Sequence, residues 1–559
     1  MQPTGRYIHP VNNNVIGLAL LLALLGVGFA AIVLIRWGRL SFLVDRGVRA
    51  ARTSRYDDMG LIARYHRSAN RAEAIDDRTW YDLDLDQVLA KIDYTASTIG
   101  TQTLYDRLRS PAELERFSAT VEALRSNPPV AERIRETLRR LDGSNAGWLP
   151  DLFTGDLPAP LAFRWVYPML SLAMVAALVA TTFNRIATVA VVALVFLNFL
   201  ITLFFKSRIQ LLLPGLRALP NLVYSGESIV ANEAATPFLA TEVGTLRRTT
   251  SKLKRLRGAA RWLLFEPGET ADLMSSLYEY VNMLFLLSVN AVAFGIEQIR
   301  DQRSALRETY EAIGWLDVAQ SVATLRDGWT TGSRPRFHAT AKQFDVANVW
   351  HPLLSEPVAN SIAVSGTSVL VTGSNMSGKT TFVRTLGVAA TLARAIDTVP
   401  AMHWRCAALV PRTSIARSDS LAEGKSYFLA EGERIRDLLA AKESGKQHLF
   451  LLDEIFRGTN TTERIAAGKA VLAELDRGDN LVVVATHDLE LLPMLAGRFT
   501  PYHFREEVDG DSLRFDYAIN SGPSSTRNAI ALLRLMKYPE RVIDDALAAL
   551  RWADESGAQ

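Results

Sequence analysis

Long runs of apolar residues without charges stand out in the N-terminal half of the chain. Val15 to Ile35 carries no charged residue and is long enough to span a bilayer as a helix. Trp165 to Thr182 and Ile186 to Phe205 are two further apolar runs, separated only by a short polar turn. These patterns predict an N-terminal transmembrane helix and a transmembrane hairpin. A cleaved signal peptide is the alternative for the first run, and a buried hairpin of a soluble core is the alternative for the other two.

The charges that flank these runs predict an orientation. Six arginines follow the first run between Arg36 and Arg55, whereas only Arg6 precedes it. Lys206 and Arg208 follow the hairpin. Because positive charge favours the cytoplasmic side, we expect three spans, with the N-terminus outside and the chain after Arg208 inside the cell.

Apolar residues at helical spacing predominate elsewhere up to residue 333. Val281 to Ile296 is apolar but short and carries two asparagines, which favours a buried core helix over a further span. Leu246 to Arg261 is a basic cluster. It can contact the phosphates of nucleic acid or of lipid headgroups, or it can be a solvated helix face.

From about residue 334 the pattern changes to short apolar runs that alternate with helical stretches. Phe344 to Val349, Ser361 to Val364 and Ser368 to Val371 are predicted strands, and the alternation is typical of an α/β nucleotide-binding domain. The predicted domains are a membrane anchor (1–55), a helical cytosolic region (56–160), the transmembrane hairpin (161–206), a second helical region (207–333), the α/β domain (334–510) and a C-terminal helical segment (511–559).

Composition adds two points. Hydrophobic residues make up 48% of the chain, which agrees with membrane segments, and the net charge of +3 indicates no particular partner. Cys406 is the single cysteine, so an internal disulfide is excluded, and the residue is expected to be buried.

A glycine-rich loop follows the run that ends at Val371. Gly373-x4-Gly378-Lys379-Thr380 is the phosphate-binding P-loop pattern, and a helical pattern comes directly after it. We expect Lys379 to reach the β- and γ-phosphates of ATP and Thr380 to ligate Mg²⁺. The expected nucleotide-binding residues are Gly373, Ser374, Asn375, Met376, Ser377, Gly378, Lys379, Thr380 and Thr381.

Two further apolar runs end in residues suited to the same chemistry. Gln447 to Glu454 has the Walker B form, in which Asp453 would hold Mg²⁺ and Glu454 would orient or deprotonate the attacking water. A plain surface turn is the alternative. His487 follows the apolar run that begins at Leu481, and we expect it to hydrogen-bond the γ-phosphate rather than to play a structural role.

Ser426 opens another helical pattern, where its side chain would cap the helix and the free N–H groups would face an anion. Within a single subunit this is ordinary capping. It becomes functional if the ATP of a second subunit lies against it.

Together these motifs resemble the ATPase of the MutS family of DNA mismatch repair proteins. Asn375-Met376 separates this loop from the P-loops of most other ATPases. A weaker resemblance, to the family's helical core, begins at Thr98. The segments that carry the ATPase resemblance are Trp350 to Leu353, Thr372 to Thr380, Thr398 to Ala401, Arg417 to Glu431, Leu451 to Thr459 and Ala485 to His487.

The resemblance implies an α/β P-loop NTPase head of the ABC type, preceded here by a helical core or lever region that the hairpin interrupts. It also implies an ATPase that uses ATP and Mg²⁺ and forms a homodimer, in which Ser426 completes the partner's site and the C-terminal helices pair the heads. Val358 stands near the position where the family often carries an aromatic residue against adenine. Neither a mismatch-reading domain nor its Phe-x-Glu wedge is apparent.

With its predicted spans, the chain looks most like the membrane-bound MutS-related ATPases of bacteria, with a cytoplasmic ATPase on the inner membrane. Three functions stay open from the sequence. The first is a membrane-anchored ATPase switch that acts on an unidentified protein partner. The second is binding of mismatched DNA, as in repair. The third is a transporter ATPase, although no L-S-G-G-Q signature is present.

Overall fold

The computed structural model describes residues 56–69, 75–155, 157, 163–210, 212–235, 237–261, 280–374, 377–415, 427–456, 459–509, 512–523 and 536–556. The predicted anchor helix lies outside these ranges. So do Asn375, Met376, Ser426, Arg457 and Gly458.

Helices account for most of the described chain. They are α1 (Met59–Ile62), α2 (Arg64–Ala69), α3 (Asp77–Asp82), α4 (Leu85–Ile92), α5 (Thr98–Arg109), α6 (Leu114–Arg125), α7 (Pro128–Leu138), α8 (Leu149–Thr154), α9 (Val166–Ala180), α10 (Ala187–Gln210), α11 (Leu213–Ala231), α12 (Ala240–Arg261), α13 (Leu287–Asp301), α14 (Arg303–Gly328), α15 (Lys379–Ile396), α16 (Tyr427–Lys442), α17 (Thr461–Leu475), α18 (Leu491–Met494) and α19 (Glu540–Ser556). Short 3₁₀ turns are at Arg139–Leu141, Ser144–Trp148 and Glu233–Ala235.

The strands of the described chain all lie after residue 335. They are β1 (Arg336–Phe337), β2 (Gln343–Val349), β3 (Asn360–Ser365), β4 (Ser368–Thr372), β5 (His403–Cys406), β6 (Val410–Ile415), β7 (His448–Asp453), β8 (Leu481–Ala485), β9 (Phe499–Asp509) and β10 (Ser512–Ser521). The predicted strands that begin at Phe344, Ser361 and Ser368 are confirmed as parts of β2, β3 and β4, and the apolar runs that begin at Gln447 and Leu481 form β7 and β8.

The described residues form two compact units. The helical unit takes its residues from 1–70, 96–103 and 129–317, and the sheet unit takes its residues from 71–95, 104–128 and 318–559. The boundary between the units falls within α5 and within α14.

In the helical unit, α11 packs along α12. The close approach depends on Gly226, where a Cβ atom would lie 2.7 Å from the Thr250 Cγ2 atom. Arg247, Lys252 and Lys254 of α12 are exposed, whereas Leu246 and Thr250 are buried, so these three basic residues of the predicted cluster lie on the solvent side of the helix.

The apolar hairpin consists of α9 and α10. Among the described residues, Ala187–Phe205 is the one helical stretch long and apolar enough to cross a membrane, and only 11% of it is buried. Val166–Ala180 is also apolar but shorter. Length therefore does not support a hairpin of two full spans, and crossing of a membrane stays a prediction.

The predicted core helix from Val281 to Ile296 is corrected, because the structure interrupts it at Leu286, whose φ is 50°. The interruption leaves carbonyl oxygens without partners in the helix itself. Asn198 Nδ2 donates to the Leu284 oxygen at 2.7 Å, and Ser171 Oγ donates to the Phe285 oxygen at 2.6 Å. Side chains of α9 and α10 thus replace the missing backbone hydrogen bonds.

The sheet unit is built on a six-stranded sheet with the strand order β10-β9-β4-β8-β7-β6. β9 and β10 are antiparallel, and the other neighbours are parallel. Every residue of β4, β7 and β8 is buried, as expected for central parallel strands covered on both faces. A smaller mixed sheet has the order β1-β5-β2-β3.

Two predicted boundaries need correction. β10 pairs with β9, so the sheet of the predicted α/β domain continues beyond residue 510 to Ser521. Part of the region predicted as 56–160 also belongs to the sheet unit, because α3 binds the edge strand β6. Asp82 Oδ2 accepts hydrogen bonds from Thr413 Oγ1 at 2.8 Å and from the Ile415 N–H at 3.2 Å.

Candidate active site

The carboxyl ends of β4, β7 and β8 bring the predicted site residues together. In the parallel register, Val371 and Asp453 are both paired with Ala485, so the three strands end at the same level. The loops that leave this edge carry the P-loop, the Walker B acids and His487. Crevices at this edge are where open α/β sheets bind ligands.

Two glycines give the P-loop its shape. Gly373 has a φ of 141°, and a Cβ atom there would lie 2.7 Å from the Phe504 carbonyl oxygen. Gly378, the N-cap of α15, has a φ of 105°. Residues with a side chain rarely adopt such angles, so both positions require glycine. The N-terminus of α15 consequently opens onto the loop, where it favours an anion.

Lys379 is buried in this loop. Its Nζ atom donates to the carbonyl oxygens of Gly373 at 2.8 Å and of Ser374 at 2.6 Å. Ser377 Oγ donates to the same Ser374 oxygen at 2.9 Å. The ammonium group therefore lies at the centre of the phosphate-binding loop.

Thr380 and Asp453 bring two side-chain oxygen atoms together below the P-loop. Thr380 Oγ1 donates to Asp453 Oδ2 at 2.6 Å. A hydroxyl oxygen and a carboxylate oxygen at the foot of a phosphate loop suit a hard cation such as Mg²⁺. The chemistry of these two oxygen atoms therefore fits Mg²⁺, and their role as its ligands stays a prediction.

Glu454 and His487 contact each other beside Lys379. Glu454 Oε1 lies 2.7 Å from His487 Nε2, and that nitrogen lies 3.4 Å from Lys379 Nζ. Glu454 has a φ of 50°, and its N–H donates to the Ala485 oxygen at 2.9 Å. A carboxylate, an imidazole and an ammonium group are thus arranged in a row along one edge of the sheet.

The structure brings together most of the residues predicted from the sequence. Thr381 lies in the first turn of α15 with an exposed side chain. Val358 is 42% exposed, and as an aliphatic side chain it offers no ring to a base. Cys406 is buried as expected, and burial raises the pKa of its thiol to about 12. The residues in place are Gly373, Ser374, Ser377, Gly378, Lys379, Thr380, Asp453, Glu454 and His487.

Tyr517 is the residue that sequence reasoning missed. Its Cδ1 atom would be 3.3 Å from a Cβ atom at Gly378, and its side chain is 46% exposed. Asn360 fixes the backbone on either side, because its Nδ2 donates to the Tyr517 oxygen at 3.1 Å and its Oδ1 accepts from the Ile519 N–H at 2.7 Å. The signal in the sequence that could have found this strand is the alternation of the apolar residues Phe515, Tyr517 and Ile519 with other residues.

Comparison with known proteins agrees with this geometry. The family model "MutS domain V" matches residues 369–552, the segment that holds the P-loop, the Walker B acids and His487. MutS domain V is a P-loop ATPase domain, so the match supports the MutS family and the predicted ATPase fold for this part of the chain.

Curated relatives match a little under half of the chain. A DNA mismatch repair protein MutS of Thermus thermophilus is 32% identical over 264 residues, which are 45% of this chain and 31% of that protein. A MutS of Methanosarcina mazei is 30% identical over 49% of this chain and 32% of its own length. An Endonuclease MutS2 of Thermus thermophilus is 30% identical over 47% of this chain and 35% of its own length. The chain spans about a third of the length of these relatives.

Proposed function

We propose that this protein is a MutS-type ATPase that binds ATP with Mg²⁺ and hydrolyses it as a conformational switch between two copies of the chain. One observation carries the proposal: Lys379, Glu454 and His487, from three separate segments, lie within hydrogen-bonding reach in a row beside the Thr380–Asp453 pair. The match to MutS domain V supports it independently.

Lys379 has the role of binding the phosphates of ATP. Its Nζ atom is held by two loop carbonyls, and a triphosphate offers stronger, charged acceptors at the same place. The loop N–H groups and the end of α15 then bind the β-phosphate. Thr380 and Asp453 would hold Mg²⁺, which would supply positive charge to offset that of the phosphates.

Glu454 has the role of general base. Its carboxylate lies at the open edge of the sheet, where it can take a proton from water in line with the γ-phosphate. His487 Nε2 lies 2.7 Å from that carboxylate. Because this nitrogen carries one N–H, it would exchange the Glu454 carboxylate for a γ-phosphate oxygen when ATP binds, which would leave the carboxylate available to water.

Tyr517 has the role that the sequence left open, which is to stack on the adenine. Its ring is exposed beside Gly378, and a flat aromatic face of this kind can stack on a base. A dimer follows from the MutS resemblance of the segment 417–431, in which Ser426 of each chain would complete the ATP site of the partner.

The test uses two variants of the full-length protein. Lys379→Ala should weaken ATP binding. Glu454→Gln should bind ATP, fail to hydrolyse it and increase the dimer fraction, because the amide keeps the shape but cannot accept the proton. Nucleotide titration, phosphate release and sedimentation measure the three effects. Normal hydrolysis by Glu454→Gln would overturn the assignment of the base.

We also propose that α9 and α10 hold the protein in a membrane. Val189, Val192 and Phe196 are at least 63% exposed, which is costly in water and favourable in lipid. The protein should therefore pellet with membranes and resist extraction by carbonate. Replacing these three residues by serine should release it, unless the predicted anchor at 15–35 suffices alone; deletion of that segment separates the two cases.

DNA binding is a second candidate function, favoured by the basic face of α12. Arg247, Lys252 and Lys254 are exposed there, and such a face binds phosphates in a salt-dependent way. Changing Lys252 and Lys254 to glutamine should weaken binding of duplex DNA at low salt. Changing Arg133 and Arg139, exposed on α7 and just after it, is the charge-matched control. No binding by the unaltered protein at low salt would refute this candidate.

A further inference from the structure

The turn that follows Glu454 is held by a side chain from a different helix. The Phe456 N–H donates to the Glu431 Oε1 atom, and Glu431 lies in α16. Phe456 is two residues after the proposed base, and its φ is 60°. The carboxylate of Glu431 thus accepts a hydrogen bond from the backbone two residues after Glu454.

This contact matters because the turn has an unfavourable backbone. Glu454 and Phe456 both have left-handed φ angles, which residues with a Cβ atom rarely adopt. Such angles persist only where surrounding groups hold them. The Ala485 oxygen holds the Glu454 N–H, and Glu431 holds the Phe456 N–H.

Helix α16 has further anchors, so Glu431 is not needed merely to dock it. Arg434 Nε donates to the Thr413 oxygen at 2.6 Å, and Lys442 Nζ donates to Glu474 Oε1 at 2.5 Å. The helix also begins at Tyr427, directly after Ser426. Glu431 is therefore on the helix whose first residue, Tyr427, follows Ser426 in the sequence.

We propose that Glu431 is a positioning residue for Glu454: it fixes the turn that aims the base and joins that turn to the helix beginning beside Ser426. This inference rests on the proposed ATPase function. The acceptor oxygen is what the role needs, and the negative charge is secondary. ATP binding uses the P-loop, whereas Glu431 accepts a hydrogen bond from the turn after the base, so we expect the chemical step to depend on it.

Four variants of the full-length protein test the inference. Glu431→Gln keeps an acceptor oxygen at the same reach, Glu431→Leu removes it, and Glu431→Asp keeps the charge but withdraws the oxygen by one methylene. Glu474→Leu is the matched control, because it removes a carboxylate contact at the far end of α16. The measurements are ATP affinity, single-turnover hydrolysis and melting temperature.

Loss of a hydrogen bond to a charged group should slow single-turnover hydrolysis about tenfold to a hundredfold in Glu431→Leu and Glu431→Asp. Their ATP affinity should stay within about twofold, and Glu431→Gln and Glu474→Leu should stay within about threefold of the unaltered rate. Since Glu431→Asp keeps the charge and nearly the size, it gives an answer even where Glu431→Leu fails to fold.

Two results would overturn the inference: hydrolysis at the unaltered rate in Glu431→Asp, or a loss of rate in Glu474→Leu as large as in Glu431→Leu. Failure of the ATPase proposal looks different. In that case the unaltered protein does not hydrolyse ATP, or Lys379→Ala binds it as well as the unaltered protein does.

Discussion

Replacing Asp397 by asparagine should destabilise the sheet unit by breaking a buried ion cluster. Asp397 follows α15, and its side chain is only 7% exposed. Its Oδ2 atom accepts from Ser118 Oγ at 2.5 Å, from Arg334 Nε at 2.7 Å and from Arg326 Nη2 at 3.3 Å. The φ of 51° at Asp397 suits asparagine, so the substitution removes charge without adding backbone strain.

The size of the effect depends on the ion pair that Arg326 keeps after Asp397 is replaced. Removing one partner of a buried ion pair costs about 3–5 kcal/mol because the other charge is left without compensation. The guanidinium of Arg326 keeps Glu122 at 2.6 Å, and that carboxylate is 39% exposed. We therefore expect the lower end, about 3 kcal/mol, which corresponds to a fall of about 6–12 °C in melting temperature for a large unit.

The assay is thermal unfolding followed by circular dichroism at two salt concentrations. Asp327→Asn is the matched control, since it breaks an ion pair with Arg125 in which both side chains are exposed. That change should cost less than about 1 kcal/mol and depend on salt, whereas the Asp397→Asn effect should not. The reasoning is refuted if the two variants melt at the same temperature.

Three further predictions concern the sheet unit. Burial lowers the pKa of His448 to about 4, so between pH 6.5 and pH 4 the unfolded chain binds a proton that the folded protein does not bind. The free energy of unfolding should therefore fall as the pH is lowered through this window. His448→Gln should reduce that fall by up to about 3 kcal/mol, as measured by urea unfolding at a series of pH values. Gly387→Ala should cost about 1–3 kcal/mol by the same assay, because a Cβ atom there would lie 2.6 Å from Leu83 Cδ2 and 2.7 Å from Leu451 Cδ1; unchanged stability would show that these side chains repack freely. Tyr517→Ala should weaken ATP binding about tenfold and Tyr517→Phe should not, as measured by nucleotide titration, since stacking needs the ring but not the hydroxyl; equal affinities in all three proteins would exclude stacking.

Features encoded by neighbouring residues could be predicted from the sequence. The P-loop, the strand that precedes it and the helix that follows it are contiguous, and each has a local signal in glycine placement or apolar runs. The Walker B acids end their strand in the same way. The common edge of these segments also follows, because parallel strands place their carboxyl ends together.

Features that join distant segments could not be predicted. Nothing near Ser118 indicates that it binds Asp397, and nothing near Glu431 indicates the Phe456 N–H. The interruption at Leu286 has no glycine or proline to signal it, because side chains from two other helices supply the hydrogen bonds that permit it. Contacts between residues far apart in the sequence depend on how helices and strands pack together. The periodicity of apolar residues along the chain does not indicate which distant residues will be neighbours.

Helix α15 is held so firmly that a response to ATP must begin at its loop end. At its C-terminus, Arg107 Nε donates to the Ala395 oxygen at 2.6 Å, and Arg326 Nη2 donates to the backbone just beyond. Burial lowers the pKa of Arg107 to about 9, so it stays protonated at neutral pH and stabilises the negative end of the helix dipole. Midway along the helix, Gly387 leaves no space for even a methyl group. We therefore expect a change in the contacts of Lys379 to act on His487, which follows β8, rather than to move α15 as a whole.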